Sequence, residues 1–445
     1  MDDLELAVDT LQSKNIAYAP LFDYYSGDQP IRYAAERLRD IFENKQTRFT
    51  QNWCMVVVNA VCDRLRLMRW NVQDDEALSD QLNLLWRSSG LTADMEAADR
   101  AVAITGEAFV LAWPGETGAE AFYHDPRICN VWYDPENPRK KRMAAKWWND
   151  DSEVWWLNLY YPDRILHYRA DAGNTIKASS FLLVSEEVNT AGRVPIFHLY
   201  RDRHILQGEL TSVIPLQDAI NKLLADMMIA AEFGAFRQRW IITNTDTTKL
   251  KNNPNGVWEL PGAAPGEQPT EFGEFEAAEL TNYLSAIDRL AASIGIITQT
   301  PRHYFYAQGG DPSGEALIAM ESPLTRKVQQ YQARLGDGWA DVAAFMLSID
   351  GVEIDALDIS PVWADAETVQ PRTEAEIRQM DVASGIPLVT SLRWSGWTDA
   401  ELEQLAVDRE AEQVAQQAQL ASAMVQAQRS FDQNAGPGVG SVNET

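Results

Sequence analysis

The clearest hydrophobic pattern in the chain predicts two amphipathic helices that flank a short insert rich in turns. The first helix is predicted over residues 212–236, with Pro215 in its first turn, where a missing backbone N–H costs little. The insert, 238–275, contains two short apolar segments typical of strands, at 240–242 and 257–260. The second helix is predicted over 276–296. The apolar stripes are Leu216, Ile220, Leu223, Leu224, Met227, Met228 and Ala231 in the first helix, and Leu280, Leu284, Ile287, Ala291 and Ile294 in the second.

A loop with aromatic residues and two glycines then leads to the longest helical pattern of the chain. Asp311 and Pro312 suit the N-cap and the first turn of this helix. At ~1.5 Å per residue the helix extends about 50 Å, and Pro323, Gly336 and Gly338 predict that it bends. Such a layout is typical of an extended, spanning protein and not of one that folds around a substrate. The apolar positions are Leu317, Met320, Leu324, Val328, Tyr331, Leu335, Trp339, Val342 and Met346.

The remaining sequence predicts helical regions around one β-rich region, and therefore a mainly helical α+β fold. Residues 1–30 predict a short helix with a loop from Tyr24 to Pro30, and residues 31–112 are mainly helical in pattern. Residues 373–429 are also mostly helical, whereas 431–445 has a disordered composition. Between 108 and 200 the apolar period approaches two, and strands are predicted at 108–113, 128–133, 144–148, 154–161, 165–168 and 181–184.

The chain is strongly acidic, with 38 Lys and Arg against 65 Asp and Glu and a formal net charge of −27. Such a charge is expected to repel nucleic acid and anionic membranes, although it can also serve solubility alone. No apolar run reaches the ~18 residues of a membrane span, and the acidic start does not resemble a secretory signal. Three cysteines without a CxxC pair suggest reduced thiols in a cytoplasmic compartment. Residues 31–70 are locally basic, with eight Lys and Arg against four Asp and Glu.

Motifs of known catalytic or cofactor sites are missing from the sequence. It contains no P-loop, no G-x-S-x-G nucleophile elbow and no HExxH. His198 and His204, six residues apart, are better explained as structural histidines than as metal ligands. We therefore expect no enzyme activity, no catalytic residues, no metal and no cofactor.

Two compositional features leave alternatives open. The pairs Trp147-Trp148 and Trp155-Trp156 are each predicted to split between a core and an outer face or interface, because neighbouring residues on a strand point to opposite sides. A stacking platform for carbohydrate is the alternative. The basic run 139–142 is either a solvated loop or a contact to acidic neighbours in the same assembly.

The order of these elements resembles that of bacteriophage portal proteins, the head-to-tail connectors of tailed phages. Short segments are also similar to portals of long-tailed phages that infect actinobacteria. The similarity covers roughly residues 30–415 and rests on the order and spacing of the segments. They are 208–212 (Gly-Glu-Leu-Thr-Ser), 216–221 (Leu-Gln-Asp-Ala-Ile-Asn), 256–262 (Gly-Val-Trp-Glu-Leu-Pro-Gly), 312–317 (Pro-Ser-Gly-Glu-Ala-Leu), 363–365 (Trp-Ala-Asp) and 384–387 (Ser-Gly-Ile-Pro).

This resemblance implies a portal-type division of the chain. It implies a wing at 1–211, stem helices at 212–237 and 276–296, a clip at 238–275, a tunnel loop at 297–312, a long kinked wing helix with its following segment at 313–365, a crown at 366–430 and a disordered tail at 431–445. The tunnel loop would present Arg302, His303, Tyr304, Phe305, Tyr306 and Gln308 to a DNA channel. The clip would dock partners through Trp258, Glu259, Glu267 and Glu271.

The resemblance also implies the assembly and its partners. Twelve subunits would form a ring at one capsid vertex, within the virion and after assembly in the host cytoplasm. Its partners would be the terminase large subunit, a head-completion adaptor, the major capsid and scaffolding proteins and double-stranded DNA in transit, with no membrane. Residues 251–290 carry seven acidic and two basic residues, which suits a channel that must not hold DNA. The alternatives are a non-enzymatic oligomeric scaffold and a Trp-rich glycan-binding module.

Overall fold

The computed structural model describes residues 2–30, 51–115, 118–171, 176–235, 239–242, 270–276, 279–305, 314–367, 371–395, 397 and 399–434. The chain forms two compact units, 1–368 and 369–445. The helices of the first unit are α1 (Asp3–Ser26), α2 (Trp53–Cys62), α3 (Glu76–Ser88), α4 (Leu91–Thr105), α5 (Ile214–Ala235), α6 (Leu280–Thr298) and α7 (Gly314–Ile349). Those of the second unit are α8 (Pro371–Ala383), α9 (Leu388–Trp394) and α10 (Asp399–Asn434).

The strands confirm the β-rich region and add pairings that the sequence did not predict. They are β1 (Leu67–Val72), β2 (Glu107–Pro114), β3 (Ala119–His124), β4 (Cys129–Tyr133), β5 (Lys141–Asn149), β6 (Trp155–Tyr160), β7 (Arg164–Ala170), β8 (Leu182–Val188), β9 (Ile196–Tyr200), β10 (Arg239–Ile242), β11 (Glu271–Glu274) and β12 (Ile359–Trp363). Antiparallel ladders join β4-β5-β6-β7-β8, β3-β2-β9, β10-β11 and β1-β12. The strands that the sequence analysis did not name are β1, β3, β9, β11 and β12.

Helix α7 is the centre of the largest core cluster and confirms the predicted helix in one continuous run through Pro323. The predicted apolar stripe is fully buried from its third position onward: Leu324, Val328, Tyr331, Leu335, Trp339, Val342 and Met346. The first two positions differ, since Leu317 is only half-buried and Met320 is exposed. The amino-terminal turns of α7 therefore extend beyond the core.

Both ends of the described chain are more helical than predicted. Helix α1 runs to Ser26, so Tyr24 to Ser26 are not loop; Gly27 closes the helix in the left-handed conformation at φ 81°. Tyr24 is buried there, and its hydroxyl donates to a carboxylate oxygen of Asp218 at 2.5 Å. Burial of this tyrosine explains why a turn-like sequence stays helical. Helix α10 likewise continues to Asn434, beyond the predicted start of the disordered tail at residue 431.

The tryptophan pairs split between the two faces of the five-stranded sheet, as predicted. Trp147 is buried against Trp155 on the face that packs on α1, with ring centroids 5.2 Å apart. Trp148 and Trp156 form a cross-strand pair on the opposite face. There Trp156 donates its indole N–H to Asp150 at 3.0 Å.

A buried carboxylate joins α1 to the central strands. Glu107, the first residue of β2, contacts Lys14 at 2.7 Å and His198 at 2.9 Å and accepts a hydrogen bond from Tyr18 at 2.5 Å. Burial by itself would raise the pKa of Glu107, but the contacts with His198 and Lys14 lower it to about 2. His198 therefore has a structural role, consistent with the interpretation favoured from the sequence.

A chain of tryptophans ends on a second buried carboxylate. The rings of Trp70, Trp86 and Trp339 follow one another with centroids 4.9 Å and 5.5 Å apart. The indole N–H of Trp339 then donates to Asp99 on α4 at 3.0 Å. Burial raises the pKa of Asp99 to about 7, even though the hydrogen bond from Trp339 acts in the opposite direction.

We predict that Asp99→Asn removes a pH-dependent loss of stability. The pKa of the Asp99 carboxyl rises from 3.8 to about 7 on folding, so the folded protein favours the protonated form. The resulting contribution to stability is complete below pH 3.8 and is lost as the pH rises to about 7. The loss corresponds to roughly 4 kcal/mol. The free energy of unfolding of Asp99→Asn, relative to the unmodified protein, should therefore increase between pH 4 and about 7.5 in urea titrations. The exposed Asp80→Asn controls for loss of one negative charge, and an equal pH response in both variants would contradict the prediction.

Candidate functional site

The predicted channel loop begins with an ordered turn that belongs to the core. Helix α6 ends at Thr298, and Gln299 takes the left-handed conformation at φ 57°. A short 3₁₀ turn, Arg302–Tyr304, then brings the chain to Phe305. Gly295 permits this reversal, because a Cβ there would lie 3.0 Å from the carbonyl oxygen of Thr300 and 3.3 Å from the Phe305 ring.

Phe305 packs inside the subunit, which corrects its assignment to the channel. Its side chain is 8% exposed and lies edge-on to Trp53, with ring centroids 6.0 Å apart and planes at 88°. The same apolar cluster contains Ile294 from α6 and Leu224 from α5. An aromatic side chain in such a cluster gains more from burial than from facing an aqueous channel.

Tyr304 is half-buried, and its hydroxyl is held by a contact within the subunit. Arg64 donates through Nη2 to the Tyr304 hydroxyl at 3.0 Å and to Glu321 on α7 at 3.0 Å. The Nη1 group of the same guanidinium donates to the carbonyl of Ala366 at 3.0 Å. His303 approaches the other carboxylate oxygen of Glu321 at 3.3 Å. One arginine thus ties the loop to α7 and to the segment that precedes the second unit.

The remaining loop residues divide into two groups. Arg302 and His303 are exposed at the surface of the turn. Tyr306 and Gln308 lie outside the described residues. The Arg64 cluster could not be found from the sequence, because Arg64 and Glu321 are separated by 257 positions and belong to no local motif.

Arg64 belongs to the locally basic segment 31–70 and is used within the subunit. Arg69 lies 3.7 Å from Glu76 of the same chain. The other basic residues up to Arg48 lie outside the described residues.

The two predicted stem helices are anchored at one end only. Ile220 and Leu224 of α5 and Ile287, Ala291 and Ile294 of α6 are buried in one cluster with α2. Farther from this base the apolar side chains become accessible. Met228 is 41% exposed and Leu284 is 49% exposed.

The described part of the predicted clip is a two-stranded ladder. Strands β10 and β11 pair so that Trp240 lies opposite Gly273 and Ile242 opposite Glu271. Gly273 leaves space for the indole, since a Cβ at this position would meet the Trp240 ring at 2.6 Å. Glu271 and Phe272 are exposed. The other predicted docking residues, Trp258, Glu259 and Glu267, lie outside the described residues, as does the strand predicted at 257–260.

Two features are absent from the described residues. No group of three or more His, Cys, Asp or Glu side chains within those ranges is placed to hold a metal ion. Across the same residues, no helix combines the length and apolar character that a membrane crossing requires.

We predict that Phe305 contributes to folding. Phe305→Ala leaves a cavity next to Trp53, and it should lower the free energy of unfolding by about 3–5 kcal/mol. Arg302→Ala, three positions earlier on the exposed side of the turn, should cost less than about 1 kcal/mol. Both values are measured by urea unfolding at one fixed protein concentration. Equal costs would show that Phe305 is not a core residue.

Comparison with known proteins identifies the family. The sequence model described as "Phage portal protein, SPP1 Gp6-like" matches residues 12–415. The "Portal protein" of Mycobacterium phage D29 is 22% identical over 377 residues, covering 78% of this chain and 76% of the phage protein. The "Portal protein" of Mycobacterium phage L5 is 24% identical over 350 residues, covering 70% and 68% respectively. Among solved structures, "Neck of empty GTA particle computed with C6 symmetry" contains a chain with a TM-score of 0.47 and 12% identity, covering 84% of this chain and 90% of that one. The family model and the two mycobacteriophage proteins confirm the resemblance seen in the sequence, and the chain belongs to the SPP1 Gp6-like family of phage portal proteins.

Proposed function

We propose that twelve copies of this chain form a closed ring at one capsid vertex and that DNA enters and leaves through its channel. The proposal rests on family membership together with one observation, the half-covered pair of helices α5 and α6. A subunit that stood alone would leave much of their apolar surface in water. A ring covers it with the next copy.

The exposure of these helices supports contacts between neighbouring copies. Leu284 is 49% exposed, and Ile296 and Ile297 at the end of α6 are 80% and 53% exposed. Burial of apolar surface contributes about 25 cal/mol per Å², so neighbouring stems gain stability by packing together. A head-to-tail contact of this kind closes into a ring when the rotation between copies allows it.

The portal division of the chain follows from the same proposal. Helices α5 and α6 are the stem, 238–275 the clip and 366–430 the crown, while 1–211 and α7 form the wing. Phe305 would anchor the tunnel loop, 297–312, inside the subunit. The residues proposed to meet DNA are Arg302, His303, Tyr304, Tyr306 and Gln308.

The clip is proposed to dock the terminase large subunit during packaging and a head-completion adaptor afterwards. Glu271 and Phe272 support this assignment, because an exposed strand with an acidic and an aromatic side chain offers both charge and apolar area to a partner. The ring would also contact the major capsid and scaffolding proteins, assemble in the host cytoplasm and remain in the virion. It would act without catalysis of its own.

One experiment tests both ring formation and docking. The purified chain should run as a ring of twelve subunits in native mass spectrometry and show a central hole in negative stain. Glu271→Lys should give the same ring, because the side chain is exposed, while its affinity for the cognate terminase large subunit falls about tenfold, or ~1.4 kcal/mol. The matched control is Glu136→Lys in an exposed turn of the wing. A stable monomer at micromolar concentration would contradict the ring, and unchanged terminase binding by Glu271→Lys would place docking elsewhere.

The free ring should bind duplex DNA weakly, although DNA is its proposed cargo. Non-specific affinity comes from contacts of Lys and Arg with phosphate and from the release of counterions. The segment that joins the clip to the second stem helix, 251–290, carries seven acidic and two basic residues. Any attraction from Arg302 therefore acts within a repulsive field that is screened over about 8 Å at physiological salt.

Fluorescence anisotropy with a duplex should show no binding tighter than about 10⁻⁵ M at ~0.15 M salt. Twelve loops that each held phosphate firmly would oppose the packaging motor. Sub-micromolar binding with a steep dependence on salt would contradict a channel of low friction.

A further inference from the structure

A cationic cavity lies in the first unit, away from the stem, the clip and the channel loop. It has a volume of about 300 Å³ and is bounded by the ends of β4 and β5, by β9 and by α7. Gly338 forms part of its wall, where a Cβ would meet the Leu199 side chain at 2.6 Å. The lining residues are Tyr133, Arg139, Lys141, Phe197, His198, Tyr200, Arg203, Gly338 and Asp341.

The lining is positive in a chain that is otherwise strongly negative. Arg139, Lys141 and Arg203 contribute three cations, and Asp341 contributes one carboxylate. His198 adds little charge, because its burial lowers its pKa even though Glu107 acts in the opposite direction. The net formal charge of about +2 contrasts with −27 for the whole chain.

The Lys141 ammonium is held in place, and its positive charge is only partly compensated. Its ammonium lies 3.8 Å from the centre of the Phe197 ring, a cation–π contact that fixes its position. Burial lowers the pKa of Lys141 to about 8, against the attraction of Asp341. In the part of the chain that the structure describes, no carboxylate oxygen comes within 4.0 Å of this ammonium.

Arg203 supplies the second preorganised cation. Its guanidinium stacks on the ring of Tyr133 at 4.5 Å. Its Nη2 atom is buried and has no hydrogen-bond partner among the described residues. A buried donor of this kind costs free energy until an acceptor pairs with it. Lys141 and Arg203 therefore offer an incoming anion two positioned cations, both partly withdrawn from solvent.

We propose that this cavity binds a carboxylate side chain from an acidic segment of a second copy of the chain. The inference rests on the proposed ring, in which each copy presents one surface to the next. Charge complementarity favours this occupant, since the chain carries 65 Asp and Glu. The cavity admits a single side chain, whereas a duplex presents its phosphates on a rigid convex surface that cannot reach buried cations.

The residues of the basic run 139–142 have different surroundings in the structure. Arg139 and Lys141 line the cavity, whereas Lys140 does not and is exposed. Arg142 points elsewhere and pairs with Asp3 at 3.0 Å. Alternate residues of the run thus have different roles, as expected where a strand begins. Lys140 is the natural control for Lys141.

The test compares Lys141→Gln and Arg203→Gln with Lys140→Gln. Ring formation is followed by light scattering and native mass spectrometry over a dilution series at ~0.15 M salt. Each cavity variant should raise the protein concentration at half-assembly about tenfold, and Lys140→Gln should raise it less than about twofold. Lys141→Arg, which keeps the charge, should restore most of the loss. Thermal unfolding of the unassembled subunits identifies any variant that fails to fold.

Two added anions distinguish a carboxylate from other ligands. A hexaglutamate peptide should compete with assembly of the unmodified chain and of Lys140→Gln, and inorganic phosphate at equal ionic strength should not. The inference would be overturned if Lys141→Gln and Arg203→Gln reached half-assembly at the same protein concentration as the unmodified chain. Competition by phosphate alone would also overturn it. Failure of the unmodified chain to form rings would instead contradict the proposed function.

Discussion

Burial of the long helix α7 is the constraint on which the rest of the first unit depends. From Leu324 to Met346 its apolar stripe is withdrawn from solvent, and strands β2 and β9 and the tryptophan chain pack against it. A helix enclosed in this way cannot leave its polar groups unpaired. Lys327 lies within the buried turns, so α7 dictates where its counterion must be.

That counterion fixes the base of helices α5 and α6. Glu209, immediately before α5, pairs with Lys327 at 3.0 Å and with Arg201 at 2.8 Å and accepts a hydrogen bond from Tyr331 at 2.9 Å. Lys327 also donates to the carbonyl of Thr298, the last residue of α6. A cation at the carboxyl end of a helix offsets the negative end of its dipole. One lysine of α7 therefore ties the segment before α5 to the last residue of α6, so both helices share one base.

The sequence predicted those parts of the fold that depend on local periodicity. The buried stripe of α7, the paired stem helices and most strands between 108 and 200 follow from spacings of 3.6 and 2, which a single segment displays by itself. Family membership could be predicted from the order of those segments. The failures share a different cause. Tyr24 and Phe305 stand in sequences rich in Gly, Asp or Gln that are typical of loops, yet each side chain fits a cluster made by distant elements. Strand β1 pairs with β12 across almost 300 residues, and no local pattern reports that pairing.

The same kind of long-range pairing bears on the proposed DNA channel, because it determines how many of the 38 basic residues remain available to phosphate. Many of its cations are used inside the subunit. Lys14 is paired with Glu107, Arg64 with Glu321 and Lys327 with Glu209, each at 3.0 Å or less. Each such pair neutralises one cation and one carboxylate, so the net charge stays at −27 while fewer cations remain available to contact phosphate. The cavity around Lys141 and Arg203 departs from this arrangement, because its cations are partly buried and incompletely paired. Lys14, Arg64 and Lys327 each pair with a carboxylate of the same subunit. A carboxylate of the neighbouring copy would complete the pairing at the cavity in the same way.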